Sequence, residues 1–309
     1  MFTVRFTNFW KTSKLTQAQF FTPLLERVYD APAFIEIDPT KKVDLEVFSV
    51  FPPKPSIAHR ALRKYGVIQP EVSNFLHTEV KKNSTKSIWY TGENIRLPLH
   101  LGFDSYLSYE ANEFHPLNNY LPLWVMNLNW FGFEYTHGFA GRNPTIQELL
   151  GKRKFDPALF SERNFGCAFI GVMENMRQSF LYALNQEGKV DIFGRSVGNV
   201  VTDKTDVARN YKLIAAFENS VYPGYVTEKL LEASMTSALP LYWGIDREEY
   251  FNKDAFLNFY NHNSIEEFVE KILNLLKNSE ELAFRLESPI LSKPYDLEAT
   301  VERLKSQLL

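Results

Sequence analysis

The densest chemistry in the chain lies in Phe217-Glu218-Asn219-Ser220-Val221-Tyr222-Pro223-Gly224-Tyr225-Val226-Thr227-Glu228-Lys229. An apolar run, Leu213–Phe217, precedes it and a helical pattern, Val226–Met235, overlaps its end. Asn219, Ser220, Tyr222, Tyr225, Glu228 and Lys229 would then crowd one strand end. A helix N-terminus offers unsatisfied N–H groups and partial positive charge, which suit a phosphate, and Lys229 adds a full charge. A second group is Trp89-Tyr90-Thr91-Gly92-Glu93-Asn94, where Glu93 follows a strand and a glycine turn and is placed to act as a general base. A third is Arg177, in the first turn of a helix after a strand, where a planar guanidinium suits paired donation to phosphate. Each has a plainer alternative: a polar loop with a solvated Glu-Lys pair, a solvated glutamate, and a surface arginine.

The elements that must position these groups alternate in type. In the first half, Thr3–Phe6, Ala33–Ile37, Leu45–Phe48, Ser87–Tyr90, Phe103–Tyr109 and Leu121–Met126 predict strands, and Gln17–Val28 a helix weakened at Pro23. Pro52-Pro53-Lys54-Pro55 predicts a rigid loop. Glycines and Pro144 between Gly132 and Lys154 mark a joint. In the second half, Phe165–Ile170, Val190–Phe193, Leu213–Phe217 and Leu239–Trp243 read as strands. Asn175–Gln186, Val226–Met235, Ser264–Leu276 and Leu297–Leu308 read as helices, with Ser264 and Glu267 spaced as a capping box. Strand–helix alternation implies a doubly wound parallel sheet that binds ligands at its carboxyl edge. The expected domains are 1–140 and 141–309.

The 309 residues are 45% hydrophobic and 23% charged, with net charge −3. That composition excludes a disordered chain, and it lacks the positive excess of a nucleic-acid binder. The single cysteine, Cys167, cannot make an internal disulfide, and six scattered histidines give no zinc pattern. No export signal is legible at the N-terminus, and no run reaches the about 20 apolar residues of a membrane helix. The expected compartment is the cytoplasm, peripheral to the membrane if the native chain carries a tail. Asn83-Ser84-Thr85 is then a chance glycosylation match. The 26 Phe and 15 Tyr suggest a Phe-rich core, with aromatic platforms for sugars as the alternative.

Phe217-Glu218-Asn219-Ser220, Tyr225–Lys229 and Ala238-Leu239-Pro240-Leu241-Tyr242-Trp243-Gly244, in that order, resemble the signature of α-1,3/1,4-fucosyltransferases, glycosyltransferase family 10. Tyr90–Asn94 resembles that family's N-domain motif, in its bacterial members above all, and Phe103–Tyr106, Tyr120–Leu123 and Met176–Phe180 resemble further motifs of the family. The resemblance covers about half the chain, from Trp89 to Gly244. It implies an α/β fold of GT-B type, two facing Rossmann-like domains with a cleft between them. The first domain would bind the acceptor and carry the base, the second GDP-fucose. It implies inverting transfer of L-fucose from GDP-β-L-fucose to the 3-hydroxyl of GlcNAc in a LacNAc or Lewis-type acceptor. Glu93 matches the catalytic base, Arg177 and Lys229 the diphosphate grip. Asn219, Tyr225 and Glu228 match the nucleotide-sugar pocket, Glu228 near the fucose. No metal or other cofactor is required, a divalent ion being at most stimulatory, and the sequence contains no Asp-x-Asp. The expected partners are GDP-fucose and a glycan, with no nucleic acid and no membrane segment. A non-catalytic GDP-sugar- or glycan-binding member, or a transferase for another GDP-sugar, is the alternative.

Two features depart from the pattern. A Ser-Asn pair common before the arginine is replaced by Ile170-Gly171-Val172-Met173-Glu174-Asn175, where only Asn175 substitutes. The Gly194-Arg195-Ser196 turn holds a second arginine, either a compensating ligand or a solvated turn.

Overall fold

A computed structural model describes residues 1–9, 17–50, 82–132, 143–171, 173 and 175–309. The expected Pro52–Pro55 loop, Gly138 and Gly141 of the joint, and Val172 and Glu174 lie outside the described residues. The chain forms two compact units: Met1–Leu121 with Asp296–Leu309, and Pro122–Tyr295.

In the first unit, β1 (Phe2–Thr7), β2 (Ala33–Ile35), β3 (Val43–Phe48), β4 (Ser84–Tyr90), β5 (Ser105–Ser108) and β6 (Asn118–Tyr120) form one sheet ordered β2-β1-β3-β4-β5-β6. Every pairing is parallel. A π-turn at Gln17–Phe21 leads into α1 (Thr22–Tyr29), which starts where Pro23 needs no N–H partner. Leu24, Leu25 and Val28 bury its inner face.

The second unit contains α2 (Ile146–Leu150), α3 (Pro157–Ser161), β7 (Asn164–Phe169), α4 (Asn175–Glu187), β8 (Val190–Phe193) and α5 (Lys204–Ala208). There follow β9 (Tyr211–Phe217), α6 (Glu228–Ser234), β10 (Leu239–Trp243), β11 (Leu257–Asn258), α7 (Ile265–Lys277) and α8 (Ser279–Glu287). Its all-parallel sheet runs β11-β10-β9-β7-β8, so strand order reverses at β7, whose neighbours are β8 and β9. Phe180 stacks on Phe217 at 4.6 Å, and Phe217 on Phe259 at 6.1 Å, so phenylalanines build this core.

The division of the chain is not the expected 1–140 and 141–309. Trp124 packs its ring on Tyr250, Phe251 and Tyr295, which draws the segment after Leu121 into the second unit. The last helix, α9 (Leu297–Leu308), returns to the first: Arg303 donates to the Asn118 carbonyl at 2.8 Å, and Ser105 donates to Gln307 Oε1 at 2.7 Å. The strand expected at Leu121–Met126 is a 3-10 turn, Leu123–Asn127, begun by Pro122, and the strand is Asn118–Tyr120. At α7 only half of the capping box forms. Ser264 accepts from the Glu267 N–H, while Glu267 itself accepts from Asn263.

Candidate functional site

A cavity of about 300 Å³ opens at the carboxyl ends of β7 and β9, where the strand order reverses. Such a crevice is where doubly wound sheets hold ligands. Arg177, Asn219, Glu228 and Lys229 all line it, joined by Lys204 and Glu232. Phe169, Ile170, Phe217 and Ala233 supply apolar wall. Tyr225 does not line it. Tyr222-Pro223-Gly224-Tyr225 folds as a turn closed by the Tyr225 N–H on the Tyr222 carbonyl at 3.0 Å, with Gly224 at φ +85°, and the Tyr225 side chain is buried.

Arg177 lies in the first turn of α4 and is only 5% exposed. Its Nη2 donates to the Phe217 carbonyl at 2.9 Å and to Asn219 Oδ1 at 2.6 Å, so the end of β9 fixes the guanidinium.

Glu218 organises the opposite side and is wholly buried. Its carboxylate accepts from the Thr227 N–H (2.8 Å), Thr227 Oγ1 (2.7 Å), Lys229 Nζ (3.2 Å) and the Tyr242 hydroxyl (3.2 Å). Lys229 Nζ also donates to Thr227 Oγ1 at 2.9 Å. The expected anion site of backbone N–H groups is thus altered, because the Thr227 N–H at the start of α6 is taken by this carboxylate. The cations that remain for an anion are side chains. Burial alone would lower the Lys229 pKa, but Glu218 and Glu228 outweigh it and hold the ammonium well above its ordinary value. Burial pushes Glu228 up, yet Lys229 and Lys204 bring it below the usual range. Glu232, 3.6 Å from Lys204, is pushed up to about 7 by burial.

Sequence reasoning had not singled out Glu218, Lys204 or Glu232 as site residues. Glu232 carries a legible signal, since Glu228 and Glu232 at i and i+4 share a helix face. Gly194 shapes the rim: at φ +132° its added Cβ would stand 2.0 Å from the Ile170 carbonyl oxygen. Arg195 is exposed beyond it and outside the cavity lining, as a solvated turn.

Glu93 belongs to the first unit, half-buried after β4. Its N–H donates to Thr91 Oγ1 at 3.2 Å, and the Thr91 hydroxyl donates to the Glu93 carbonyl at 2.9 Å. Thr91 is itself buried, and its N–H extends the ladder to Leu107 at 3.0 Å. Next to it, Asn94 Oδ1 accepts from Arg96, which pairs with the buried Glu110 at 2.9 Å. The base candidate therefore sits on a hydrogen-bonded turn at the carboxyl end of β4, an interior strand of the sheet.

Residues 168–284 match the glycosyltransferase family 10 (fucosyltransferase) C-terminal domain. Arg177, Asn219, Glu228 and Lys229 all fall inside it. Among similar proteins, the bovine (Bos taurus) 4-galactosyl-N-acetylglucosaminide 3-alpha-L-fucosyltransferase 9 is 28% identical over 150 residues, 46% of this chain and 40% of that protein. Alpha-(1,3)-fucosyltransferase FucT of Helicobacter pylori is 25% identical over 224 residues, 63% of this chain and 46% of its own. The match thus spans less than half the length of these curated relatives. A crystal structure of an alpha1,3-fucosyltransferase with GDP aligns over 99% of this chain and 90% of its own, with TM-score 0.69 at 19% identity. The same enzyme class with GDP-fucose aligns at TM-score 0.67 and 18% identity. The fold is α/β of GT-B type, with two Rossmann-like units. Among the described residues, no three His, Cys, Asp or Glu side chains gather to hold a metal, and no helix is long and apolar enough to cross a membrane.

Proposed function

We propose that this chain is an inverting α-1,3-fucosyltransferase that moves L-fucose from GDP-β-L-fucose to the 3-hydroxyl of GlcNAc in a LacNAc or Lewis-type glycan. The observation that carries it is the convergence of Arg177, Asn219, Glu228 and Lys229 on one cavity at the reversal of the family 10 sheet. Arg177 and Lys229 take the diphosphate, and Asn219 holds the arginine in place. Glu228 is assigned to the fucose and Tyr225 to the shape of the loop. The acceptor oxygen forms its bond to the sugar's anomeric carbon as the bond to the β-phosphate oxygen breaks. The electron pair leaves on GDP, and the hydroxyl proton passes to Glu93. Single displacement converts the β-linked donor into an α-linked product. Cations on the leaving diphosphate and a base on the acceptor each support one end of that step. The reading uses no metal ion.

The test is GDP release from GDP-fucose in EDTA, with LacNAc, lactose or no acceptor. Acceptor-stimulated release is expected, and Glu93→Gln should slow it by about 10²–10⁴-fold while GDP still binds. Wild-type rates in that variant would remove Glu93 as base. GDP-fucose binding without transfer to any acceptor would leave a binding protein.

A further inference from the structure

The buried Glu218 is unexplained by donor binding, since it faces the chain's own groups. Burying a carboxylate is costly unless it is fully hydrogen-bonded and paired, and an apolar side chain fills such space at less cost. Here four donors from three residues, Thr227 and Lys229 at the start of α6 and Tyr242 on β10, close on it. Tyr242 reaches it across Gly244, where an added Cβ would lie 2.3 Å from the tyrosine hydroxyl. Thr227 links both partners, donating to Glu218 while accepting from Lys229. The lysine side chain keeps 25% exposure and lines the cavity.

We propose that Glu218 is a positioning residue of the diphosphate site, holding the Lys229 ammonium charged and in register with the cavity through Thr227. This rests on the donor reading above. The charged groups around Lys229 are Glu218 at the end of β9, Glu228 beside it on α6, and Arg177 from α4, which opposes its charge. Lys204 and Glu232 share the cavity, and the Leu123–Asn127 turn packed on α6 brings no ionisable side chain. Glu218 is the one carboxylate hydrogen-bonded to Nζ among the described residues, since Glu228 stands 3.8 Å away. Without it, Glu228 alone of these two carboxylates opposes burial, and the cation is discharged at a lower pH than in wild type.

The experiment compares wild type, Glu218→Gln and the double variant Glu218→Gln/Lys229→Arg. Isotope-edited NMR of the lysine side chains follows Lys229 through alkaline pH, and calorimetry follows GDP binding from pH 7 to 10. In wild type, Lys229 should titrate above the exposed lysines. In Glu218→Gln its midpoint should fall below that of wild type, and GDP affinity should fall about tenfold or more relative to wild type across that range. The non-titrating guanidinium of the double variant should flatten the profile again. Titration of the nucleotide itself is common to all three and cancels. An unchanged Lys229 midpoint, or parallel pH profiles in Glu218→Gln and wild type, would overturn the proposal. A purely structural Glu218 would lower the melting temperature without moving either readout. If Glu218→Gln does not fold, a wild-type midpoint at or below the exposed lysines overturns the proposal alone. Wild type that shows the NMR behaviour but binds no GDP would overturn the donor reading instead, leaving the coupling of Glu218 to Lys229 in place.

Discussion

Replacing Glu232 by Gln tests the electrostatics of the cavity without any ligand. Burial raises this carboxyl from its ordinary 4.5 to about 7, against the pull of Lys204. The native protein therefore binds a proton more tightly than the unfolded chain between those two pH values. Stability contributed at this site is highest below about 4.5, falls as pH rises toward about 7, and stays low above it. At about 1.4 kcal/mol per pH unit, the ionised side chain costs the fold about 3 kcal/mol at pH 8. The side chain is only 14% exposed, so solvent screens little of this. Glutamine keeps the shape and removes the charge. The variant should be more stable than wild type by up to about 3 kcal/mol at pH 8, and nearly equal to it at pH 4.5. Asp246, pushed up to about 6 by burial, acts in the same direction in both proteins and cancels. Urea denaturation at pH 4.5, 6.5 and 8 measures the difference. Wild-type and variant stabilities that run parallel in pH would refute the reasoning.

Arg177→Lys keeps the charge but loses the planar guanidinium whose Nη2 bonds both the Phe217 carbonyl and Asn219 Oδ1. Calorimetry should show GDP affinity lower by about tenfold, and unchanged affinity would remove the arginine from the diphosphate. Gly194→Ala places a side chain at φ +132° and 2.0 Å from the Ile170 oxygen, so chemical denaturation should show a loss of at least about 1–3 kcal/mol; a neutral result would mean the rim is not packed as described. Ser264→Ala removes the side-chain cap of α7 and should cost about 1 kcal/mol in the same assay, with no loss arguing that Glu267 alone holds the helix start.

The second unit was the more legible because its strands are apolar runs separated by amphipathic helices. Val190–Phe193 and Leu239–Trp243 have the expected bounds, as does Leu297–Leu308 of the first unit. Strand β6 escaped notice because it is polar. Asn118 and Asn119 are buried, yet Asn118 donates to the Glu110 and Ala111 carbonyls and Asn119 to Ser105 and the Tyr106 carbonyl. Hydrophobic alternation cannot register a strand whose interior is built from amides. The neighbouring run Leu121–Met126 is apolar in type, and apolarity alone does not separate a buried 3-10 turn from a strand. At the site, motif residues located the cavity, but Glu218 was invisible as a partner of Lys229. That pairing needs the loop through Gly224 to turn the chain back on itself. Lys204 is remote in sequence and reaches the cavity only through the packing of α5.

Helix α9 has a consequence for how the protein is made. The second unit is one continuous stretch, whereas the first is assembled from two, with 122–295 between them. A ribosome finishes all six strands of the first sheet before the helix that carries Leu297, Val301, Leu304 and Leu308 onto that unit exists. At about 5–20 residues per second, that delay lasts on the order of ten seconds or more. Meanwhile, apolar surface worth about 1.5–3 kcal/mol per missing leucine partner stays open to water, to other nascent chains and to chaperones. The second unit can close first, so N-to-C synthesis is expected to complete the later-made half of this protein before the earlier one.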